Sequence, residues 1–192
     1  MNLYLIRHPE TTWNVESKFQ GIKEGKVTNE GKKTVSKILE SKLWDKMDVI
    51  YYPGSERTKY FVTQLNHKFP NKVILVDKRL NDRDFGSYEG KKFTEVSDAD
   101  LFDINDYNQR YIWKPSKGET YEEVSKRVKD FTNYLKSLNY KDKNILCVTS
   151  KGTIKCILKN ECNLTLKEMF NIKVDNLDVF IIYKNEYKRL SI

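Results

Sequence analysis

The sequence predicts an α/β fold, a three-layer αβα sandwich around a mostly parallel central sheet. Short runs rich in Ile, Val, Leu and Tyr recur at residues 2–6, 48–52, 72–76 and 144–149. Each is a near-continuous apolar segment, typical of a strand buried on both faces of a parallel sheet. The alternation of these runs with helical patterns implies right-handed crossovers, so we expect ligands to bind beyond the carboxyl ends of the strands.

Three segments between the apolar runs carry apolar residues at helical spacing. They span residues 29–43, 57–68 and 119–137. The third segment begins with Gly118-Glu119-Thr120, which is typical of a helix start. Helices therefore alternate with strands along most of the chain, as the predicted three-layer architecture requires.

The last part of the chain predicts a closing pair of strands. Residues 177–183 are rich in apolar and β-branched residues, and residues 187–192 follow them after the predicted turn Lys184-Asn185-Glu186. The stretch at about 91–114 is polar, aromatic and weakly periodic, and we expect it to be an insertion that covers the site. We expect residues 1–192 to form a single domain around one core.

Composition and charge narrow the classes of partner. Lys plus Arg number 35 against 27 Asp plus Glu, so the net charge is +8, and the basic residues are scattered without a polybasic block. This balance favours anionic partners but predicts no nucleic-acid partner. No apolar run approaches the roughly 20 residues needed to cross a bilayer, so we expect no membrane partner.

The sequence also predicts where the protein is located and the redox state of its cysteines. The N-terminal apolar stretch is too short for a secretory signal, so we expect a cytoplasmic protein. Cys147, Cys156 and Cys162 are odd in number and lie in apolar surroundings without metal-ligand spacing, which indicates buried reduced thiols. We expect no metal site.

Four polar segments follow predicted strands, where this architecture would bring them together. They are Arg7-His8 with Asn14 and Gln20-Gly21 after it; Arg57; Leu80 to Gly90; and Thr149 to Lys155. An always-charged guanidinium beside an imidazole suits a phosphoryl dianion, because the guanidinium holds oxygens while a neutral ring nitrogen attacks phosphorus. The first segment therefore indicates phosphoryl chemistry.

In this order the segments resemble the histidine phosphatase superfamily, also called phosphoglycerate-mutase-like, over nearly the full chain. Residues 7–14 are similar to its Arg-His-Gly-Glu-Thr-x-Trp-Asn signature, with Pro9 at the glycine position. Five later segments of the chain are similar to the motifs that follow in that family: Phe19-Gln20-Gly21, Thr28-Asn29-Glu30-Gly31, Ser55-Glu56-Arg57-Thr58, Leu80 to Gly90 and Gly118 to Val124. Each element alone is weak evidence, and their shared order favours the fold.

The resemblance implies a phosphomonoester hydrolase that forms a phosphohistidine on a small phosphorylated metabolite. His8 would be the nucleophile, and Arg7 and Arg57 would neutralise the phosphoryl oxygens. Asn14 and the backbone near Gly21 would add donors to the phosphate. Asp82 would protonate the leaving alkoxide and then deprotonate water, which requires a raised pKa. The resemblance implies no cofactor and no metal, because the guanidinium pair supplies the positive charge.

The fourth segment departs from the family pattern. The family has Ser/Thr-His-Gly-Gly-x-Ile-Arg there, and Ser150 stands at the position of the second histidine. The chain's other histidine, His67, lies in the wrong region to replace it, on what we expect to be an exposed helix end. Lys151 is adjacent, and its ammonium could reach the phosphate if the loop shifted. Ser150 and Lys151 are therefore candidate phosphate-binding residues.

Three explanations for Ser150 stay open. The chain could be a natural low-activity or binding-only relative, a natural enzyme that uses Ser150 with Lys151, or a His-to-Ser substitution made to trap a complex. We favour the last, because the other catalytic positions hold suitable groups.

Other interpretations compete with these roles. Each of three residues also has a purely structural interpretation: a solvated helix charge for Arg57, a turn residue for Asp82 and an N-cap for Ser150. Asp84 is a competing candidate for the acid. A mutase is a second candidate activity, although the short segment after the acid-bearing loop favours hydrolysis. A disabled phosphate-binding protein is the third. The sequence predicts no oligomeric state, and no motif in 91–114 names the substrate.

Overall fold

The computed structural model describes residues 1–96, 103 and 105–192. Within these ranges six strands form one sheet: β1 (Asn2–Arg7), β2 (Val49–Tyr52), β3 (Val73–Val76), β4 (Asn144–Thr149), β5 (Val179–Tyr183) and β6 (Glu186–Leu190). Their order across the sheet is β3-β2-β4-β1-β5-β6. Strands β3, β2, β4 and β1 are mutually parallel. At the other edge, β5 pairs antiparallel with β1, and β6 pairs antiparallel with β5. The predicted mostly parallel sheet is confirmed.

The helices lie between the strands along the chain. They are α1 (Thr12–Val15), α2 (Asn29–Ile38), α3 (Glu56–Lys68), α4 (Tyr107–Ile112), α5 (Tyr121–Ser137), α6 (Lys151–Glu161) and α7 (Leu166–Asn171). Alternate residues of each central strand point to opposite faces of the sheet. Leu3 and Leu5 therefore join one core, which contains α5, α6 and α7 side chains, while Tyr4 and Ile6 join a second core with α2 and α3. These two cores produce the predicted three layers.

Two of the differences between predicted and observed element boundaries have a local cause in the structure. The helix expected over 29–43 ends at Ile38, because the Ser41 hydroxyl accepts a hydrogen bond from Leu43 N and starts a separate 3₁₀ turn that buries Trp44. The predicted three-residue turn near the end has only two residues, Lys184 and Asn185, whose φ angles of 50° and 64° match the twist of a tight hairpin. Glu186 instead pairs with Tyr183.

The strand predicted over 72–76 exists but is not buried on both faces. It forms the edge strand β3, which pairs only with β2. Val73 is 52% exposed and Val76 is 58% exposed. Apolar composition alone could not distinguish an edge position from a central one, because strand order is set by the packing of distant segments.

The sheet brings the first and fourth polar segments together. Arg7 at the end of β1 is the register partner of Thr149 at the end of β4, and His8 N donates to Thr149 O at 2.9 Å. The chain after each of these strands therefore starts from the same edge of the sheet. Among the described residues, no helix is both long and apolar enough to cross a membrane.

Candidate active site

His8 is a buried, neutral imidazole at the carboxyl edge of β1. Its side chain and backbone are only 2% exposed. Nδ1 lies 2.8 Å from Pro9 O, and because a carbonyl oxygen can only accept, Nδ1 carries the proton. Burial lowers the pKa of His8 well below 6.5, and the charges of Arg57 and Arg7 lower it further. The unprotonated Nε2 therefore keeps its lone pair at neutral pH, as a nucleophile requires.

Two asparagines fix the surroundings of His8. Asn176 Nδ2 donates to His8 O at 2.9 Å and to Asn14 Oδ1 at 3.2 Å. Asn14 Oδ1 also accepts from Thr11 N at 3.1 Å, in a capping box at the start of α1. These contacts direct the Asn14 carbonyl into the protein, which leaves its NH₂ group for other partners. Nothing in the sequence around Asn176 indicated this role.

Arg57 is buried at the start of α3 and holds the acid-bearing loop. Its Nη2 donates to Asp82 Oδ2 at 3.2 Å and to Gly21 O at 2.8 Å, and its Nη1 lies 3.3 Å from Glu24 Oε2. Arg57 is 2% exposed, so it is not the solvated helix charge of the alternative interpretation. Gly21 contributes a carbonyl acceptor, and a Cβ there would lie 2.1 Å from Glu89 Oε1.

Asp82 lies between Arg57 and Ser150. Its Oδ1 accepts from Ser150 Oγ at 2.6 Å and from Arg83 N at 2.8 Å. Burial raises the pKa of Asp82, while Arg57, the Ser150 hydroxyl, Arg83 N and Arg7 act in the opposite direction. A carboxyl with a raised pKa can act as a general acid at neutral pH.

Ser150 is the N-cap residue of α6 by position, but its hydroxyl makes no capping hydrogen bond. It donates to Asp82 instead, and it lies 3.0 Å from Thr153 Oγ1. The side chain at the position of the family's second histidine is therefore turned toward the acid. The competing acid, Asp84, accepts from Gly86 N at 2.7 Å and shapes the loop.

Successive carbonyls of the acid-bearing loop are anchored to the sheet and helices. Thr149 Oγ1 donates to Leu80 O, and Thr153 Oγ1 donates to Asn81 O. Arg127 of α5 donates to Asp82 O at 3.0 Å and forms a two-bond ion pair with Glu119. Sequence reasoning missed Arg127, because its contact with the loop exists only once α5 has packed.

One cavity of about 460 Å³ opens in front of His8. Most of its described lining residues carry a positive charge, an amide or an aromatic ring: Arg7, His8, Asn14, Lys18, Phe19, Gln20, Asp82, Arg83, Phe85, Phe93, Arg110, Trp113, Tyr121, Lys151 and Gly152. The cavity thus brings together Arg7, His8, Asn14, Asp82 and Lys151 among the predicted site residues. Arg57 and Ser150 donate to Asp82, and Gly21 O accepts from Arg57, but none of these three residues lines the cavity.

Three buried side-chain nitrogens in the described chain have no hydrogen-bond partner, and all belong to this region. They are Arg7 Nε, Gln20 Nε2 and Arg57 Nε. Gln20 is 7% exposed, and its Oε1 is taken by Thr11 Oγ1 and Gly25 N, so the amide orientation leaves Nε2 unpaired. Unpaired buried donors are costly, and an anion in the cavity would satisfy those of Arg7 and Gln20, which line it. The sequence motif contained Gln20, but only the structure singles it out.

The segment predicted to cover the site contributes Phe93, Arg110 and Trp113 to the cavity wall. Residues 97–102 and 104 of that segment lie outside the described residues. In the described ranges, no group of three or more His, Cys, Asp or Glu is placed to hold a metal ion. His67 is exposed at the end of α3, and Cys147 and Cys156 are buried while Cys162 is half-buried.

The chain belongs to the histidine phosphatase superfamily (branch 1), whose family model matches residues 3–190. It is 30% identical over 183 residues to "Putative phosphoserine phosphatase 2" of Hydrogenobacter thermophilus, across 94% of this chain and 88% of that protein. It is 23% identical to the adenosylcobalamin/alpha-ribazole phosphatase of Escherichia coli, across 91% and 86% of the two chains. The alpha-ribazole phosphatase structure from Shigella flexneri shares the fold, with a TM-score of 0.81 at 21% identity and coverage of 99% and 95%.

Proposed function

We propose that this protein hydrolyses phosphomonoesters of small metabolites through a phosphohistidine at His8. The observation that carries the proposal is the neutral His8 ring in a cavity whose wall includes unpaired buried donors on Arg7 and Gln20, with the charge of Arg57 buried beside the cavity. These groups suit the oxygens of a phosphoryl group in front of the ring. Membership of a phosphatase-containing superfamily supports the same reaction.

The proposed reaction has two steps. In the first, His8 Nε2 forms a bond to phosphorus, the bond to the ester oxygen breaks, and Asp82 gives its proton to the leaving oxygen. In the second, Asp82 takes a proton from water, whose oxygen attacks phosphorus and breaks the P–N bond. Arg7 and Arg57 neutralise the charge on the phosphoryl oxygens in both steps, which is the role that a metal ion has in other phosphoryl-transfer sites.

Ser150 favours a slow reaction. A hydroxyl turned toward Asp82 supplies no positive charge to the phosphoryl group, whereas an imidazolium would. Losing one such donor costs about 10²- to 10³-fold in rate. A phosphate-ligand binding protein is therefore the second candidate function. The predicted cytoplasmic location, the single domain and the metal independence stay predictions.

The test compares the chain with Ser150→His, using p-nitrophenyl phosphate with a metal chelator present. We expect Ser150→His to raise the rate of phosphate release by about 10²- to 10³-fold. We also expect it to trap acid-labile phosphohistidine, which His8→Asn abolishes. The chain has only 2 histidines, so His67→Asn is the matched control and should label like its parent. Absence of both phosphohistidine and phosphate release from Ser150→His would overturn the proposal.

A further inference from the structure

Glu24 lies in the loop after Gln20-Gly21 and contacts the first turn of α3. Its Oε1 accepts from Glu56 N at 2.8 Å, and its Oε2 accepts from Arg57 N at 3.0 Å. Oε2 also lies 3.3 Å from Arg57 Nη1, which makes an ion pair. One carboxylate therefore binds both the backbone and the side chain of Arg57.

This carboxylate replaces the side-chain cap that α3 lacks. Ser55 is the N-cap residue by position, but its hydroxyl makes no capping hydrogen bond and lies 2.8 Å from Thr58 Oγ1 instead. The first amides of a helix have no acceptor within the helix, and the positive end of the helix dipole favours a negative charge beside them. Glu24 supplies both the acceptor and the charge, from 32 residues before Glu56.

The loop that presents Glu24 is held on both sides. Before it, the amides of residues 22–23 donate to the Glu89 carboxylate at 2.7 Å and 2.9 Å. After it, Gly25 N donates to Gln20 Oε1 at 3.2 Å. The neighbours of Glu24 therefore fix its place beside α3.

Arg57 is shared between two carboxylates. Its side chain is 2% exposed, and those of Glu24 and Asp82 are 19% and 12% exposed, so all three charges are largely removed from water. Nη1 lies beside Glu24, while Nη2 donates to Asp82 Oδ2 at 3.2 Å. A buried guanidinium whose one partner was Asp82 would hold that acid in its charged form, because an opposite charge this close lowers the pKa of a carboxyl. The negative charge of Glu24 opposes this effect.

The other groups around Asp82 cannot take this part. Burial raises the pKa of Asp82. The groups that lower it are cations or neutral donors: Arg57, the Ser150 hydroxyl, the Arg83 amide and Arg7. Glu24, on the far side of the same guanidinium, adds the negative charge that these groups lack.

We propose that Glu24 is a positioning residue that acts on Asp82 through Arg57: it fixes the guanidinium and takes up part of its charge, so that Asp82 can both hold and release a proton. The inference rests on the proposed function, in which Asp82 gives a proton to the leaving oxygen and takes one from water. Glu24 itself touches neither the substrate nor the reacting atoms in this role.

The test follows the titration of Asp82 by NMR of side-chain carboxyl groups in the unliganded chain, with the signal assigned by its loss in Asp82→Asn. Glu24→Gln keeps an oxygen acceptor for α3 but removes the charge. We expect the pKa of Asp82 to fall by about one unit in this variant, since the charge of Arg57 then acts on Asp82 alone. Glu56→Gln, an exposed glutamate of the same helix turn that pairs with Lys59, is the matched control and should leave the titration unchanged.

A second background separates positioning from structural support. The shift caused by Glu24→Gln should shrink when Arg57→Gln is also present, because no guanidinium is left to share. A chain that hydrolyses p-nitrophenyl phosphate should also show the alkaline limb of its kcat profile at lower pH in Glu24→Gln, since protonated Asp82 is lost earlier. A role in support alone would lower the urea midpoint of Glu24→Gln and leave the pKa of Asp82 in place.

Two outcomes would overturn the inference. An unchanged or raised pKa of Asp82 in Glu24→Gln would mean that Glu24 only caps α3. A shift of equal size with and without Arg57 would mean that Glu24 does not act through the guanidinium. The titration needs no turnover, so failure of the proposed function, seen in Ser150→His, is a separate outcome.

Discussion

At the scale of single residues, Asp82 is the group on which most contacts of the site converge. Arg57, Ser150 and the Arg83 amide all donate to its carboxylate. Each donor favours the charged form, while burial favours the neutral form. Burial therefore raises the pKa of Asp82, and the specific contacts lower it. Removing one of these contacts should change the pKa.

Ser150→Ala tests that balance. The Ser150 hydroxyl stabilises the carboxylate, so its loss should raise the pKa of Asp82. Activity that needs protonated Asp82 then persists to higher pH, and the alkaline limb of the kcat profile for p-nitrophenyl phosphate should move upward. We expect a shift of about one pH unit, since a hydrogen bond to a charged group contributes about 1.5–3 kcal/mol and one unit corresponds to about 1.4 kcal/mol.

The matched control for this shift is Ser87→Ala, an exposed serine in the same loop region. Its profile should coincide with that of the parent chain. An alkaline limb that stays in place in Ser150→Ala, or moves to lower pH, would contradict the role assigned to the hydroxyl.

Much of the candidate site could be predicted at this scale, and the reason is local. Arg7, His8, Asn14 and Asp82 stand in motifs whose residues are close in sequence, and the cavity contains all four. Gln20 lay in a motif but had no assigned role. Arg127 and Asn176 could not be found, because each acts on a backbone carbonyl more than 40 residues away along the chain.

At the scale of elements, the start of α5 connects the acid-bearing loop to the helical layer. The Thr120 hydroxyl accepts from Glu123 N at 2.9 Å, and the Glu123 carboxylate accepts from Thr120 N at 2.8 Å. This is a complete capping box. Arg83, the residue after Asp82, donates to Glu119 O and Trp113 O. It therefore links the acid-bearing loop to the start of α5.

Thr120→Ala should destabilise the protein by about 1 kcal/mol, because the first turn of α5 loses its side-chain acceptor. Denaturant unfolding measures this as a lower midpoint with an unchanged slope. Thr120→Ser keeps the hydroxyl and should recover most of the loss. Equal midpoints for the alanine variant and the parent would show that the cap contributes nothing.

Element type was predictable where a segment has its own signal. Thr120 with Glu123 marks the start of α5, and the apolar run of β4 has the predicted bounds 144–149. The edge position of β3 was not predictable, because Val73 and Val76 are of a residue type that also fills buried strands. Their exposure depends on which strands pair, which the local pattern does not contain.

At the scale of the whole molecule, one of the basic residues behind the net charge of +8 is buried and affects the stability of the fold. Lys155 is 4% exposed inside α6, and its ammonium donates to Phe170 O at 2.6 Å. Burial lowers the pKa of Lys155 to about 8, with further contributions from Lys151 and Arg110. One buried lysine therefore makes the stability of the whole fold depend on pH.

The sign follows from proton binding. Between pH 8 and 10 the unfolded chain keeps the Lys155 proton while the folded chain releases it, so the free energy of unfolding should rise with pH by about 2 kcal/mol from this group. Lys155→Met should lack that part of the rise when urea unfolding is measured across the range. Lys167→Met, at an exposed position, should keep it. Parallel curves for the parent and Lys155→Met would refute the assignment.

The position of β1 within the sheet also constrains how the protein is made. This strand precedes all others in the chain, yet its two neighbours are β4 and β5, which begin at Asn144 and Val179. During synthesis Leu3, Leu5 and Ile6 therefore stay without these strand partners until β4 has left the ribosome. A fragment that ends before Asn144 contains His8 but lacks both neighbours of β1, so the pocket around His8 can form only after β4 and β5 have been made.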